Sequence, residues 1–123
     1  MVVRTGRRPV SVVQVNVMDI ESVIRQQIAE NPVILYMKGT PDFPSCGFSA
    51  RASELVMAVG VPFAFVNILD NPEIRATLPR IGNWPTFPQL WVKGELIGGC
   101  DILVEMAQKG ELAPLIEAAA PAA

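Results

Sequence analysis

Val33-Ile34-Leu35-Tyr36-Met37 is a continuous apolar run with no polar residue in alternation. A strand of that kind must be covered on both faces, so layers have to pack on either side of its sheet. The neighbouring stretches can supply that cover. Asp19 can cap a helix with an apolar stripe of Ile20, Val23, Ile24 and Ile28, and Asn31-Pro32 stops it. Phe48, Ala52, Leu55, Val56 and Val59 form a second helical stripe, closed by Gly60, before a second strand at Phe63–Asn67. Asn71-Pro72-Glu73 reads as a helix start, with proline at the first position and an acid in the first turn. Pro79 predicts that this helix is short. The stretch from Gly82 to Pro88 holds too many turn residues to be regular. Gln89–Val92 and Glu95–Ile97 read as strands of a hairpin turning at Lys93-Gly94. Gly98-Gly99-Cys100-Asp101 opens a further helix with Asp101 as candidate cap. Gly110 ends it, and Glu111 to Glu117 adds a last turn or two. Strands separated by helices argue parallel pairing and the late hairpin adds an antiparallel edge. The expected fold is α/β: a three-layer sandwich with a central four-stranded mixed sheet flanked by helices.

At 123 residues the chain suits one domain with a single core. The domain is expected over residues 18–117. Residues 1–17 read as an N-terminal extension, disordered or preceding a natural start at Met18, and residues 118–123 as a disordered tail. The extension carries Arg4, Arg7 and Arg8 and no acid, but lacks the amphipathic pattern of a transit peptide and the features of a secretory signal. A cytoplasmic location is therefore expected. No apolar run approaches a membrane span, and a net charge of -2 with no basic patch argues against nucleic acid. There is no histidine, which removes Cys-His pairs, Ser-His-Asp triads and histidine-ligated metals. The two cysteines are too far apart to suggest a secreted disulfide framework.

Chemistry must then rest on a thiol activated by dipoles and cations. Cys46 stands where a strand empties through a Gly/Pro loop into a helix, with Ser45 as candidate N-cap and Lys38 at the loop mouth. Those surroundings favour thiolate, against the alternative of a small buried cysteine. Ser49 occupies the place of a second thiol in a Cys-x-x-Cys pair, so fast intramolecular exchange is lost at this site. Cys100 is open to three readings: a resolving thiol for Cys46, a second thiolate ligand to a borrowed cofactor, or a small buried residue.

Lys38-Gly39-Thr40 followed by Pro44-Ser45-Cys46-Gly47-Phe48-Ser49 resembles the monothiol glutaredoxins of the CGFS type, within the thioredoxin-like fold. Trp84-Pro85-Thr86-Phe87-Pro88-Gln89 and Gly98-Gly99-Cys100-Asp101 are similar to that family's other landmarks. The resemblance covers Asp19 to Ile116 and includes the insertion Thr40 to Pro44. It implies a glutathione-binding protein that holds a [2Fe-2S] cluster between two protomers and passes it to apo iron–sulfur proteins. By the same resemblance, Cys46 would be the cluster ligand, and Lys38 and Arg75 would meet the glycine carboxylate of glutathione. Phe87 would offer backbone to the cysteinyl part, ahead of a cis bond to Pro88, and Cys100 and Asp101 would receive the γ-glutamyl end. Such a cluster wants four thiolates, which one reactive thiol per chain cannot supply, so a homodimer with two glutathione thiolates is the economical solution. Two further functions stay open. One is a glutathione-dependent thiol–disulfide enzyme with Cys46 as nucleophile, at most a weak one. The other is a regulatory module that recruits a BolA-like partner.

Overall fold

The computed structural model describes residues 7–9 and 19–120. In chain order these form β1 (Arg7–Pro9), α1 (Ile20–Glu30), β2 (Val33–Met37), α2 (Gly47–Val59), β3 (Phe63–Asn67) and α3 (Pro72–Gly82). They continue as β4 (Gln89–Val92), β5 (Glu95–Gly98), α4 (Cys100–Gln108) and α5 (Leu112–Ala119). One sheet takes the order β1-β3-β2-β4-β5. β2 runs parallel to β3 and antiparallel to β4, and β4 turns back antiparallel into β5. The expected four-stranded mixed sheet flanked by helices is therefore present as β3-β2-β4-β5.

β1 adds a fifth strand, parallel to β3, with Arg8 opposite Ala64. Its three residues show no strand periodicity, and a proline that cannot donate to a ladder suits an edge. The rest of the expected extension, the boundary at Met18 and residues 121–123 lie outside the described residues.

The sheet separates two apolar layers. Val33, Leu35 and Met37 of β2 face α2, α4 and α5, where they meet Ala52, Val56, Leu103 and Ile116. Ile34 and Tyr36 face α1 and α3, where they meet Ile24, Ile28, Ile74 and Leu78. The alternation expected of a strand is thus present, but both of its faces are apolar because both are covered. All five residues of β2 are buried. Truncating one of the larger ones to alanine should cost about 2–5 kcal/mol. Tyr36 keeps a polar partner in this setting: its hydroxyl donates to Gln27 Oε1 at 2.9 Å, and burial pushes its phenol well above the ordinary tyrosine range.

Several local expectations are corrected. The N-cap of α2 is Cys46, not Ser45. α4 starts at Cys100 with Gly99 as its cap, so Asp101 is a first-turn acid and caps nothing. Phe48 leaves the predicted stripe and lies 64% exposed, because α2 turns Ser49, Ala52, Ser53 and Val56 inward. Ser53 tolerates burial by donating its hydroxyl to the Ala50 carbonyl at 3.1 Å. α3 runs through Pro79 to Gly82. A mid-helix proline removes one backbone donor, here the one that would face the Arg75 carbonyl, yet Ile74 and Leu78 are fully buried and hold the segment helical. α5 extends through Ala118 to Ala119, whose methyl is buried, two residues beyond the expected domain end.

Candidate functional site

The strand directions decide where the chemistry gathers. β2 and β3 end at the same edge of the sheet, and because β4 is antiparallel to β2 it begins there. β5, antiparallel to β4, ends there too. The four connections at that edge carry Lys38 to Cys46, the approach to Arg75, Trp84 to Pro88, and Gly98 to Asp101. Ligand clefts of α/β sheets form at such an edge, outside the strand ends. A cleft of about 680 Å³ opens here, and Lys38, Cys46, Arg75, Phe87, Cys100 and Asp101 all line it. Residues 63 positions apart in sequence, Lys38 and Asp101, thus share one cavity.

The Cys46 loop is tightly built. Ser45 N–H donates to the Lys38 carbonyl at 3.0 Å, and Thr40 and Phe43 exchange backbone bonds at 3.3 and 3.1 Å. Gly39 adopts φ +91, and a Cβ there would stand 2.6 Å from the Phe43 carbonyl oxygen. Only glycine fits that turn. Its N–H donates to Asn67 Oδ1 at 2.9 Å, which ties the loop to the end of β3. Ser49 Oγ accepts the Lys38 N–H at 3.0 Å, which fastens the start of α2 to the end of β2.

Cys46 is half-buried and its thiol is free. The backbone N–H of Ser49 faces the sulfur and holds its pKa below the ordinary thiol value. Partial burial opposes this, while the Phe48 N–H, the Lys38 ammonium and the Ser49 hydroxyl add to it. No full capping hydrogen bond forms, so the amides act on the thiolate charge by proximity. Cys100 is also free, but its pKa is pushed up, first by burial and then by the adjacent Asp101 carboxylate. Arg51 pulls it down, and the charge of Cys46 raises it, so the two sulfurs lie within electrostatic reach of each other.

The wall opposite Cys46 runs from Trp84 to Pro88. The Phe87–Pro88 bond is cis. Gly99 brings the start of α4 close to this wall: a Cβ on it would lie 3.0 Å from the Pro88 carbonyl and 3.5 Å from Trp84 Nε1. That indole N–H is buried without a hydrogen-bond partner. Pro79, Trp84 and Thr86 line the cleft but were not among the residues singled out as ligand contacts. Pro79 reaches it because α3 continues past the expected break. A reader of the sequence could have found Trp84 and Thr86 in the loop motif itself. Lys38 and Arg75 supply two cations to the cleft and Asp101 one acid. This mixture suits a small zwitterionic ligand with a carboxylate at either end. Among the described residues, no three side chains of metal-ligating type come together.

The family model for glutaredoxin matches residues 33–97. Glutaredoxin 4 of Haemophilus ducreyi is 67% identical over 94 residues, covering 76% of this chain and 88% of that protein. Glutaredoxin 4 of Escherichia coli is 65% identical over 94 residues, covering 76% and 82%. Among solved structures, reduced apo GrxS14 of poplar superposes with a TM-score of 0.71 at 43% identity, over 81% of this chain and 92% of that one. The sheet and its flanking helices follow the thioredoxin-like plan of those relatives. The chain belongs to the glutaredoxin family.

Proposed function

We propose that this glutaredoxin is of the monothiol CGFS type, binds glutathione in the cleft, and carries a [2Fe-2S] cluster as cargo between two protomers. The observation that carries the reading is the position of Cys46: a thiol biased toward thiolate at the rim of a cleft with Lys38 and Arg75 on its lining and Asp101 at the start of α4. The donor set fits a shared cluster. Cys46 is the one activated thiol on the chain, and no three ligating side chains meet among the described residues, so further thiolates would come from outside the protomer. Two glutathione thiolates and the Cys46 of a second copy complete the count of four. In this reading Lys38 and Arg75 take the glycine carboxylate and Phe87 offers backbone to the cysteinyl part. Cys100 and Asp101, in the first turn of α4, receive the γ-glutamyl end. Apo iron–sulfur proteins would be the acceptors and a BolA-like protein an alternative partner at the Cys46 face, inside the cytoplasm. Among the described residues, no helix is long and apolar enough to cross a membrane.

Anaerobic reconstitution with iron and sulfide, with and without glutathione, followed by absorption spectra and sizing, tests this. The expected result is a coloured dimer that forms only with glutathione. A coloured dimer without glutathione would assign the four thiolates to Cys46 and Cys100 of two copies. No cluster in either case would favour the second reading, thiol–disulfide exchange through Cys46, which the placement of Cys100 in the same cleft supports.

A further inference from the structure

Gln89 opens β4 and is fully buried, although its carboxamide carries two donors and an acceptor. Nε2 donates to the Trp84 carbonyl at 2.9 Å and to the Thr86 carbonyl at 3.2 Å. Oε1 accepts the indole N–H of Trp91 at 3.0 Å. An indole N–H can only donate, so it admits just one orientation of the amide, with the oxygen toward Trp91 and the nitrogen toward the loop. Trp91 is itself buried in the α1/α3 layer of the core. The orientation of Gln89 is therefore set from inside the domain and transmitted outward to the wall of the cleft.

That wall has little else of its own. Pro85 and Pro88 have no N–H to give, and residues 84–88 form neither helix nor strand. Trp84 N–H bonds the Pro79 carbonyl at 3.0 Å at the start of the segment. Beyond it, the two carbonyls that flank Pro85 are gathered by the single Gln89 amide.

We infer that Gln89 is a positioning residue for the cleft: by drawing the Trp84 and Thr86 carbonyls inward it fixes where the Trp84–Pro88 wall stands relative to the Cys46 helix. It thereby sets the affinity for the ligand without touching ligand or thiol. The clamp stands on the hydrogen bonds alone, and its effect on affinity rests on the glutathione reading above.

The test is Gln89→Met, which keeps the length and bulk of the side chain and removes all three hydrogen bonds. In the ligand-free chain, amide hydrogen exchange at Trp84, whose N–H bonds the Pro79 carbonyl at the start of the wall, should rise about tenfold relative to amides of β2. Glutathione affinity, read by calorimetric titration, should fall about tenfold. The pH profile of Cys46 alkylation should stay within about twofold, which a general loosening of the domain would not allow. Unchanged exchange at Trp84 overturns the clamp. Faster exchange with glutathione affinity unchanged overturns its role in binding. If the parent chain fails to bind glutathione, the functional reading falls, and hydrogen exchange still judges the clamp. Should Gln89→Met not fold, Trp91→Phe frees the amide orientation while keeping the loop bonds possible. It should raise the same exchange about threefold, and no rise there counts against the inference equally.

Discussion

The starts of α2 and α4 offer the same device twice and come out opposite. Each helix emerges from a glycine-containing turn at the strand ends, each places a cysteine in its first residues, and both cysteines face one cleft. Yet Cys46 is held below the ordinary thiol range and Cys100 above it. Both sulfurs stand at a helix start, so the difference lies in how the first-turn amides meet each one. Cys46 is the N-cap, outside the first turn, where the Ser49 N–H and the Lys38 ammonium reach its sulfur. Cys100 is already inside the helix, more desolvated, and next in sequence to a carboxylate. One residue of register along a helix start, with the sign of the neighbouring charge, separates a thiol biased toward thiolate from one biased against it.

The largest break of that pairing is deletion of either sulfur. Cys46→Ala should abolish cluster assembly and any thiol turnover with the fold intact, while Cys100→Ser should retain assembly. Reconstitution spectra of the two variants decide it, and loss of assembly in Cys100→Ser alone would reassign the ligand. Next come the two turns. Gly39→Ala, strained at φ +91 and meeting the Phe43 carbonyl, should lower stability to urea by about 2–4 kcal/mol. Gly99→Ala, at an ordinary φ with a Cβ 3.0 Å from the Pro88 carbonyl, should cost about 1 kcal/mol. Equal losses would mean that the two turns are equally constrained.

The pH dependence sharpens the comparison without mutation. A lowered pKa fills the thiolate at lower pH, so the alkylation rate of Cys46 should rise to its plateau below the ordinary thiol range, and that of Cys100 above it. Between those midpoints iodoacetamide should modify Cys46 and spare Cys100, as mass spectrometry of each peptide would show. Smallest are the charge swaps. Lys38→Gln should move the Cys46 midpoint up slightly, because the Ser49 amide remains. Asp101→Asn should move the Cys100 midpoint down slightly, because burial remains. A large shift from either would make side-chain charge the main cause.

How far the sequence could be read depended on the range of the interactions involved. β2, β3 and β4 occupy the ranges expected for them, because a covered strand has no alternative use for the apolar residues at its centre. The Asp19 cap was equally legible, being a contact with Ser22 three residues on. The shortfalls are contests between local and tertiary effects. Pro79 signals a break locally, but buried Ile74 and Leu78 hold α3 together across it. Phe48 fits a helical stripe by spacing, yet packing selects Ser49 and Ser53 and leaves the ring outside. Of the six cleft-lining residues named in advance, Lys38, Cys46, Phe87, Cys100 and Asp101 stand inside motifs, while Arg75 came from the family resemblance alone. Gln89 stood in the same motif as Phe87, but its hold on Trp84 and Thr86 depends on where Trp91 lies in the core, which no local pattern encodes.

The short strand Arg7–Pro9 bears on how copies of this chain can meet. A sheet edge with unpaired amides is a template for joining another sheet, and β1 occupies that template along β3. At the other end of the sheet stands β5, four residues long, opening with exposed Glu95 and joined to β4 through an irregular register. Short, charged and bulged edges are poor at recruiting foreign strands. Backbone-mediated stacking is thereby discouraged on both sides, while Phe43 in the Cys46 loop and Phe48 just after it keep their rings exposed.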